Sequence, residues 1–307
     1  MKTLIIGATG FIGRELVKDL ADHGHTVVAV TRNSGMARAI LGKKCSIVEW
    51  DGISVSSLVH YMAGCEAVVN LAGENIASGR WTEKRKEALV ASRTTVGRKL
   101  AEAILRLTSP LPVLVQGSAI GIYGTDVDSA SDESLAPGSG FLANLVVEWE
   151  NSVAEALPKV KRLAWARTGL VLGRDGGLLE KMLLPFRFHS GTLLGSGRQW
   201  MSWIHLSNEV RAIRFLLENN TSSGHYNLTA PMPVKMEEFI RALSRITGKP
   251  AWVRVPGAVI KALMGEMAAE TVLASQNALP ARLLRDGFTF DYPRLEDALT
   301  NLLTNNE

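Results

Sequence analysis

A short apolar run that breaks into three glycines constrains this chain more than any other feature. Residues 3–6 (Thr-Leu-Ile-Ile) have the composition of a buried strand. Gly7, Gly10 and Gly13 follow at three-residue spacing, and Leu16, Val17, Leu20 and Ala21 recur with helical periodicity over residues 14–22, up to a stop at Gly24. Strand, glycine turn and helix in that order are the context a dinucleotide-binding fingerprint requires. The three glycines serve different ends. Gly7 permits the tight turn, Gly10 lets backbone approach a pyrophosphate, and Gly13 lets helix and strand pack closely. Thr9, Gly10, Phe11 and Ile12 then surround the helix N-terminus, whose N–H groups and dipole receive the anion.

The second strand, Thr26–Thr31, ends where such sites discriminate between cofactors. An NAD-preferring site carries Asp or Glu about 20 residues beyond the glycines, on the ribose 2′-hydroxyl. Here Arg32 stands nineteen residues after Gly13, next to Thr31, with Arg38 further on and no carboxylate beside it. A guanidinium there complements a 2′-phosphate, so the expected cofactor is NADP(H). Further strands are expected at residues 46–50, 67–71, 113–117 and 162–168, with helices at 56–62, 82–107 and 141–157. Strands alternating with helices predict an α/β fold, a Rossmann-type doubly wound parallel sheet. The fourth strand runs into Asn70-Leu71-Ala72-Gly73, a turn whose small residues admit a ligand, and Gly97 marks a close helix–sheet approach. The fifth strand ends at Ser118, at the sheet end where open α/β folds place ligands, with Tyr123 five residues on.

After Gly173 the chain turns irregular and rich in glycine and large aromatics, as in Gly195-Ser196-Gly197-Arg198-Gln199-Trp200. This predicts two parts: residues 1–173 as the NADP-binding domain and 174–307 as a smaller C-terminal α+β substrate lobe. With no linker or repeat between them, they are interleaved and do not fold independently. A small polar substrate would lie in the cleft between lobes.

Composition excludes several other classes. The 307 residues are 46% hydrophobic and 21% charged, with a net charge of +4 and dispersed Lys and Arg, so no nucleic-acid footprint is present. The acidic stretch 126–133 reads as a solvated loop. Cys45 and Cys65 lack Cys-x-x-Cys spacing; they read as reduced thiols, with no metal site, in a cytoplasmic protein. Glycines and Arg14-Glu15 break the N-terminal apolar run, against a signal peptide, and no segment approaches the ~18 apolar residues of a membrane span. The expected assembly is a monomer or homodimer.

Taken together, the motifs resemble the extended short-chain dehydrogenase/reductases, which include the sugar-nucleotide epimerases. The resemblance rests on Gly7/Gly10/Gly13, Asn70-Leu71-Ala72-Gly73, Ser118 with Tyr123-Gly124, and Arg167-Thr168-Gly169-Leu170-Val171-Leu172-Gly173. It is nearest to an atypical NAD(P)-dependent epimerase branch, some of whose members carry a cell-division-inhibitor label. The marks of that branch are Thr31-Arg32-Asn33, Glu74-Asn75-Ile76, Arg80-Trp81, Leu184-Pro185-Phe186-Arg187, Gly195-Ser196-Gly197-Arg198-Gln199 and Trp203-Ile204-His205. The resemblance covers nearly the whole chain and implies a Rossmann-type domain, bound NADP(H) and a substrate lobe.

The departures are equally informative. Extended members use a Tyr-x-x-x-Lys pair about 25 residues after the catalytic serine, yet residues 139–145 here contain neither. Ser118 remains, but an unactivated serine cannot replace a tyrosinate as base. Tyr123 is then the best candidate acid, or else a packed aromatic. Candidate substrate contacts are Glu74, Asn75, His205, Arg187 and Arg198; the two arginines are suited to a carboxylate or phosphate or simply to the surface. Two functions remain open: an NADP-dependent oxidoreductase or epimerase with a nonstandard acid, and an NADP(H)-sensing protein that acts through a partner.

Overall fold

The computed structural model describes residues 1–304. Its centre is a seven-stranded parallel sheet. Five strands come in the expected alternation: β1 (Lys2–Ile6), β2 (Thr26–Thr31), β3 (Ser46–Glu49), β4 (Ala67–Asn70) and β5 (Leu111–Ala119). Strands Val160–Thr168 and Gly224–Leu228 complete it. From one edge the order is Gly224–Leu228, Val160–Thr168, β5, β4, β1, β2, β3. Strand order reverses between β1 and β4, which opens a crevice at their carboxyl ends.

Helices α1 (Phe11–Asp22), α2 (Ser34–Leu41), α3 (Val55–Met62), α4 (Glu83–Leu105) and α5 (Phe141–Asn151) connect these strands. Nearly every β1 and β4 side chain is buried, as a sheet covered on both faces demands. One face packs Leu16, Val17 and Leu20 of α1 against Ile213, Leu216 and Leu217; the other packs Leu58 and Met62 of α3 with Leu100 and Ile104 of α4. A third core around Phe186, Trp203, Phe239 and Leu299 holds the C-terminal lobe, which contains α6 (Gly177–Arg187) and α8 (Met236–Thr247).

Several expectations need correction. Helix α1 begins at Phe11, three residues before the expected start, because it opens directly out of the glycine turn at Gly10. Residues 154–159 are a 3₁₀ turn containing Pro158, so α5 ends at Asn151. Gly97, inside α4, marks a contact with the end of α5 and not with the sheet: a Cβ there would lie 1.8 Å from the Ser152 hydroxyl. The acidic stretch is not a solvated loop. Asp126–Ser131 pairs in parallel with Ser275–Ala278, and the Glu133 carboxylate accepts the Asn227 and Arg282 amides. The seventh strand and α7 (Leu206–Glu218), which lies on α1, come from beyond residue 173, so the C-terminal part contributes to the large sheet and its cover.

Candidate functional site

The crevice is built outward from the glycine turn. Gly7 has φ +85°, and a Cβ on it would lie 2.8 Å from the Leu71 carbonyl; on Gly13 a Cβ would lie 2.2 Å from the Gly7 oxygen. The fold itself therefore requires both glycines. Gly10 is different. Its φ of −74° suits any residue, and a Cβ would meet only the Gly7 oxygen, at 3.3 Å. It is exposed and caps α1 with no side-chain hydrogen bond, which leaves the first-turn N–H groups open to an anion. The space a side chain would fill is the space a phosphate needs. The Phe11 ring packs onto Gly173, Gly176 and Gly177, tying the turn to the far side of the sheet, and Ile12 joins the core. Thr9 is half-buried in the turn.

At the end of β2, Thr31 Oγ1 donates to the Asn33 carbonyl, and Asn33 caps α2. Arg32 and Arg38 are both exposed, and neither guanidinium has an ion pair among the described residues. Across the crevice, Asn70 donates to Gln116 at 3.0 Å and accepts the Ala72 amide. Leu71 and Ala72 are half-buried, and Gly73 passes over a buried guanidinium, 2.9 Å from where its Cβ would be. That guanidinium belongs to Arg93, which lies on the Trp149 ring and donates to the Glu74 carbonyl; burial brings its pKa down to about 10. The Glu74 carboxylate pairs with Arg85, and Asn75 accepts the Ala77 amide, so both side chains shape the loop.

Ser118 lies near the carboxyl end of β5 and Tyr123 five residues on, as expected, but their side chains are engaged within the protein. Both are buried under α5, in a network between the sheet and that helix. Ser118 donates to Glu150 at 2.5 Å, and Arg167 donates twice to the same carboxylate, at 2.9 and 3.1 Å. Tyr123 donates to Asn227 and accepts from Arg167, and burial raises its pKa. Burial would also raise Glu150, but hydrogen bonds from His225, Arg167 and Ser118 overcome it and hold the carboxyl at about 2. These hydroxyls join elements together, each with its hydrogen-bond partners inside the protein. Parity explains this: a one-residue step along a strand reverses the face, and Ser118 lies on the α5 side.

His205 is likewise engaged within the protein. It is buried against Tyr292; its Nδ1 accepts the Ser207 amide to cap α7, and its Nε2 meets Asn301. Burial depresses its pKa to about 4, so the imidazole is neutral near pH 7. Arg187 and Arg198 are exposed on different segments, α6 and the turn before strand Trp200–Met201.

The structure adds a part that the sequence does not disclose. Segment 257–270 bridges the crevice side of the sheet: Arg80 donates to the Leu263 carbonyl at 2.7 Å, and Lys86 pairs with Glu266. Glu270 accepts the Phe141 and Leu142 amides at 2.7 and 2.6 Å, at the start of α5. The only sequence signal for such residues is a charge on an otherwise apolar stripe, as with Arg93 between Leu89 and Val96 or Glu150 beside Trp149.

Residues 3–229 match the family model of the NAD dependent epimerase/dehydratase family. The chain belongs to that family. Residues 255–302 match a second model, a domain of unknown function, DUF1731. The chain is 34% identical over 310 residues to the epimerase family protein YfhF of Bacillus subtilis, covering 100% of this chain and 99% of that protein. It is 35% identical to human epimerase family protein SDR39U1, covering 99% and 100%. A crystal structure of human SDR39U1 (isoform 2) with NADPH superposes with a TM-score of 0.86 at 32% identity, over 99% of this chain and 100% of that one. The UDP-glucose 4-epimerase of Thermotoga maritima, 17% identical with a TM-score of 0.81 over 98% and 97% of the two chains, shares the epimerase-family fold.

Proposed function

We propose that this protein binds NADP(H) and works as an NADP-dependent oxidoreductase or epimerase on a small polar substrate. The observation that carries the cofactor is Gly10: the protein does not need a glycine there, but a pyrophosphate seated on α1 does. Arg32, with Arg38 nearby, would hold the 2′-phosphate, Gly7 to Gly13 the pyrophosphate, and Asn70 to Gly73 the adenosine or ribose side. The NADPH in the human relative's crystal structure supports the same reading. Bound NADPH would supply a hydride.

Arg32→Ala tests the proposal. It should weaken NADPH binding by about 1.5–3 kcal/mol, the range of charge-assisted hydrogen bonds, and leave NADH binding nearly unchanged in calorimetric titration. Equal affinity of the unaltered protein for both cofactors would refute it.

One observation favours a second reading, a cofactor-responsive binding protein without turnover. The two candidate catalytic hydroxyls, Ser118 and Tyr123, are both sequestered beneath α5. NADPH oxidation measured against small carbonyl compounds and phosphorylated sugars separates the two: tight NADPH binding without turnover supports the second. Two half-buried free thiols, Cys45 and Cys65, accord with the cytoplasm, and among the described residues no helix is long and apolar enough to cross a membrane.

A further inference from the structure

A groove of about 420 Å³ lies on the C-terminal lobe, away from the crevice, between one face of α8 and the strand pair Thr192–Leu194 and Val253–Val255. Leu193 and Arg254, register partners across that pair, line its floor together with Ile240. Arg241, Ser244 and Arg245 supply the helix wall, and Trp252 the rim. None of these residues belongs to the turn, the strand ends or the loops that form the crevice.

Charge is the first argument. Three guanidiniums face one groove whose single carboxylate, Glu237, is already paired with Arg241 at 3.2 Å. Arg245 and Arg254 make no ion pair among the described residues. Three positive charges against one negative leave an excess of two in a concave site, where low-dielectric walls focus the field and concentrate anions. Planar forks of this kind favour phosphate over other anions.

The second argument is Trp252. Its side chain is 71% exposed, which is unusual for so large an apolar surface. Yet the ring is not loose, because its Nε1 donates to the His189 carbonyl at 3.0 Å. An exposed indole held in one orientation is a plate on which a flat ring can stack without a further ordering cost. The groove also falls within the ~300–1,000 Å³ range of small-molecule sites. We propose that this groove is a second ligand site, which takes a nucleoside phosphate with its base on Trp252 and its phosphates on Arg245 and Arg254.

The experiment is calorimetric titration with ADP of the unaltered chain, of an Arg245→Glu/Arg254→Glu double variant, of Trp252→Ala and of Arg32→Ala, with NADPH titrated in parallel. All the substituted side chains are on the surface, and matched thermal unfolding checks that each variant is folded. The double variant should lose at least tenfold in ADP affinity and keep its NADPH affinity. Trp252→Ala should weaken ADP several-fold without changing the affinity for inorganic pyrophosphate. Arg32→Ala should leave ADP binding at the groove intact. The proposal is overturned if ADP does not bind, or if Arg32→Ala abolishes ADP binding while the double variant retains it, which would place ADP in the crevice. Pyrophosphate binding as tightly as ADP would remove the nucleoside from the proposal, and a polyglutamate peptide binding more tightly than ADP would replace it with an acidic protein partner. Because NADPH is measured separately, failure of the groove and failure of the cofactor reading give different results.

Discussion

Gly10 and Gly13 stand three residues apart in one turn, yet different constraints hold them. A Cβ at position 13 would sit 2.2 Å from the Gly7 oxygen, inside the protein; at position 10 it would point into the crevice. Gly13→Ala should therefore cost about 1–3 kcal/mol of stability through overpacking, seen as a lower midpoint in thermal unfolding. Gly10→Ala should shift stability by less than about 0.5 kcal/mol and weaken NADPH at least tenfold, or about 1.4 kcal/mol. The reverse pattern would make Gly10 a structural residue. Glu209, on α7, has the opposite character. It is fully buried with one oxygen on Thr168 Oγ1 and the other without a partner, and burial raises its pKa from 4.5 to about 8. The folded state thus holds a proton that the unfolded state releases. Its contribution is complete below pH 4.5 and is lost as pH rises through about 8. Glu209→Gln, which cannot ionise, should flatten the decline of the melting temperature between pH 5 and pH 8; an unchanged slope would assign that decline to other groups.

At the scale of elements, the sequence reveals what periodicity can reveal. All five strands from β1 to β5 and three of the four helices between them are legible because apolar runs and glycine stops are local signals, whereas α2, only eight residues long, is not among the expected helices. What a strand's face touches is not local. Ser118 and Tyr123 carry the same letters whether they point at a ligand or at Glu150 and Asn227, and only the packing of α5 decides. The crevice's glycine turn is readable because it is one continuous segment. The bridge made by Arg80, Lys86 and Glu270 is not, since each partner lies more than a hundred residues away. Gly97 signals a close approach in the sequence, but not which neighbour comes close. A Cβ there would strike the Ser152 side chain where α4 passes the end of α5, so Gly97→Ala should destabilise by about 1–3 kcal/mol. Chemical denaturation would show this as a lower midpoint with an unchanged slope.

For the whole molecule, the division at residue 173 is where the chain leaves the large sheet, though not where the sheet is finished. A fragment of residues 1–173 would lack strand Gly224–Leu228 and would leave α1 without α7. It should show secondary structure by circular dichroism but no cooperative unfolding, whereas the full chain should unfold in one sharp transition; a sharply melting fragment would refute this. The borrowed strand also imposes an order of events on synthesis. From Thr168 to Gly224 the ribosome must add 56 residues, a wait on the order of 3–10 s at ~5–20 residues per second. Through that interval the outer edge of Val160–Thr168 has its backbone donors and acceptors unpaired, a template for any passing strand. The nascent chain is therefore most exposed to mispairing late in translation, after most of its sheet has already assembled.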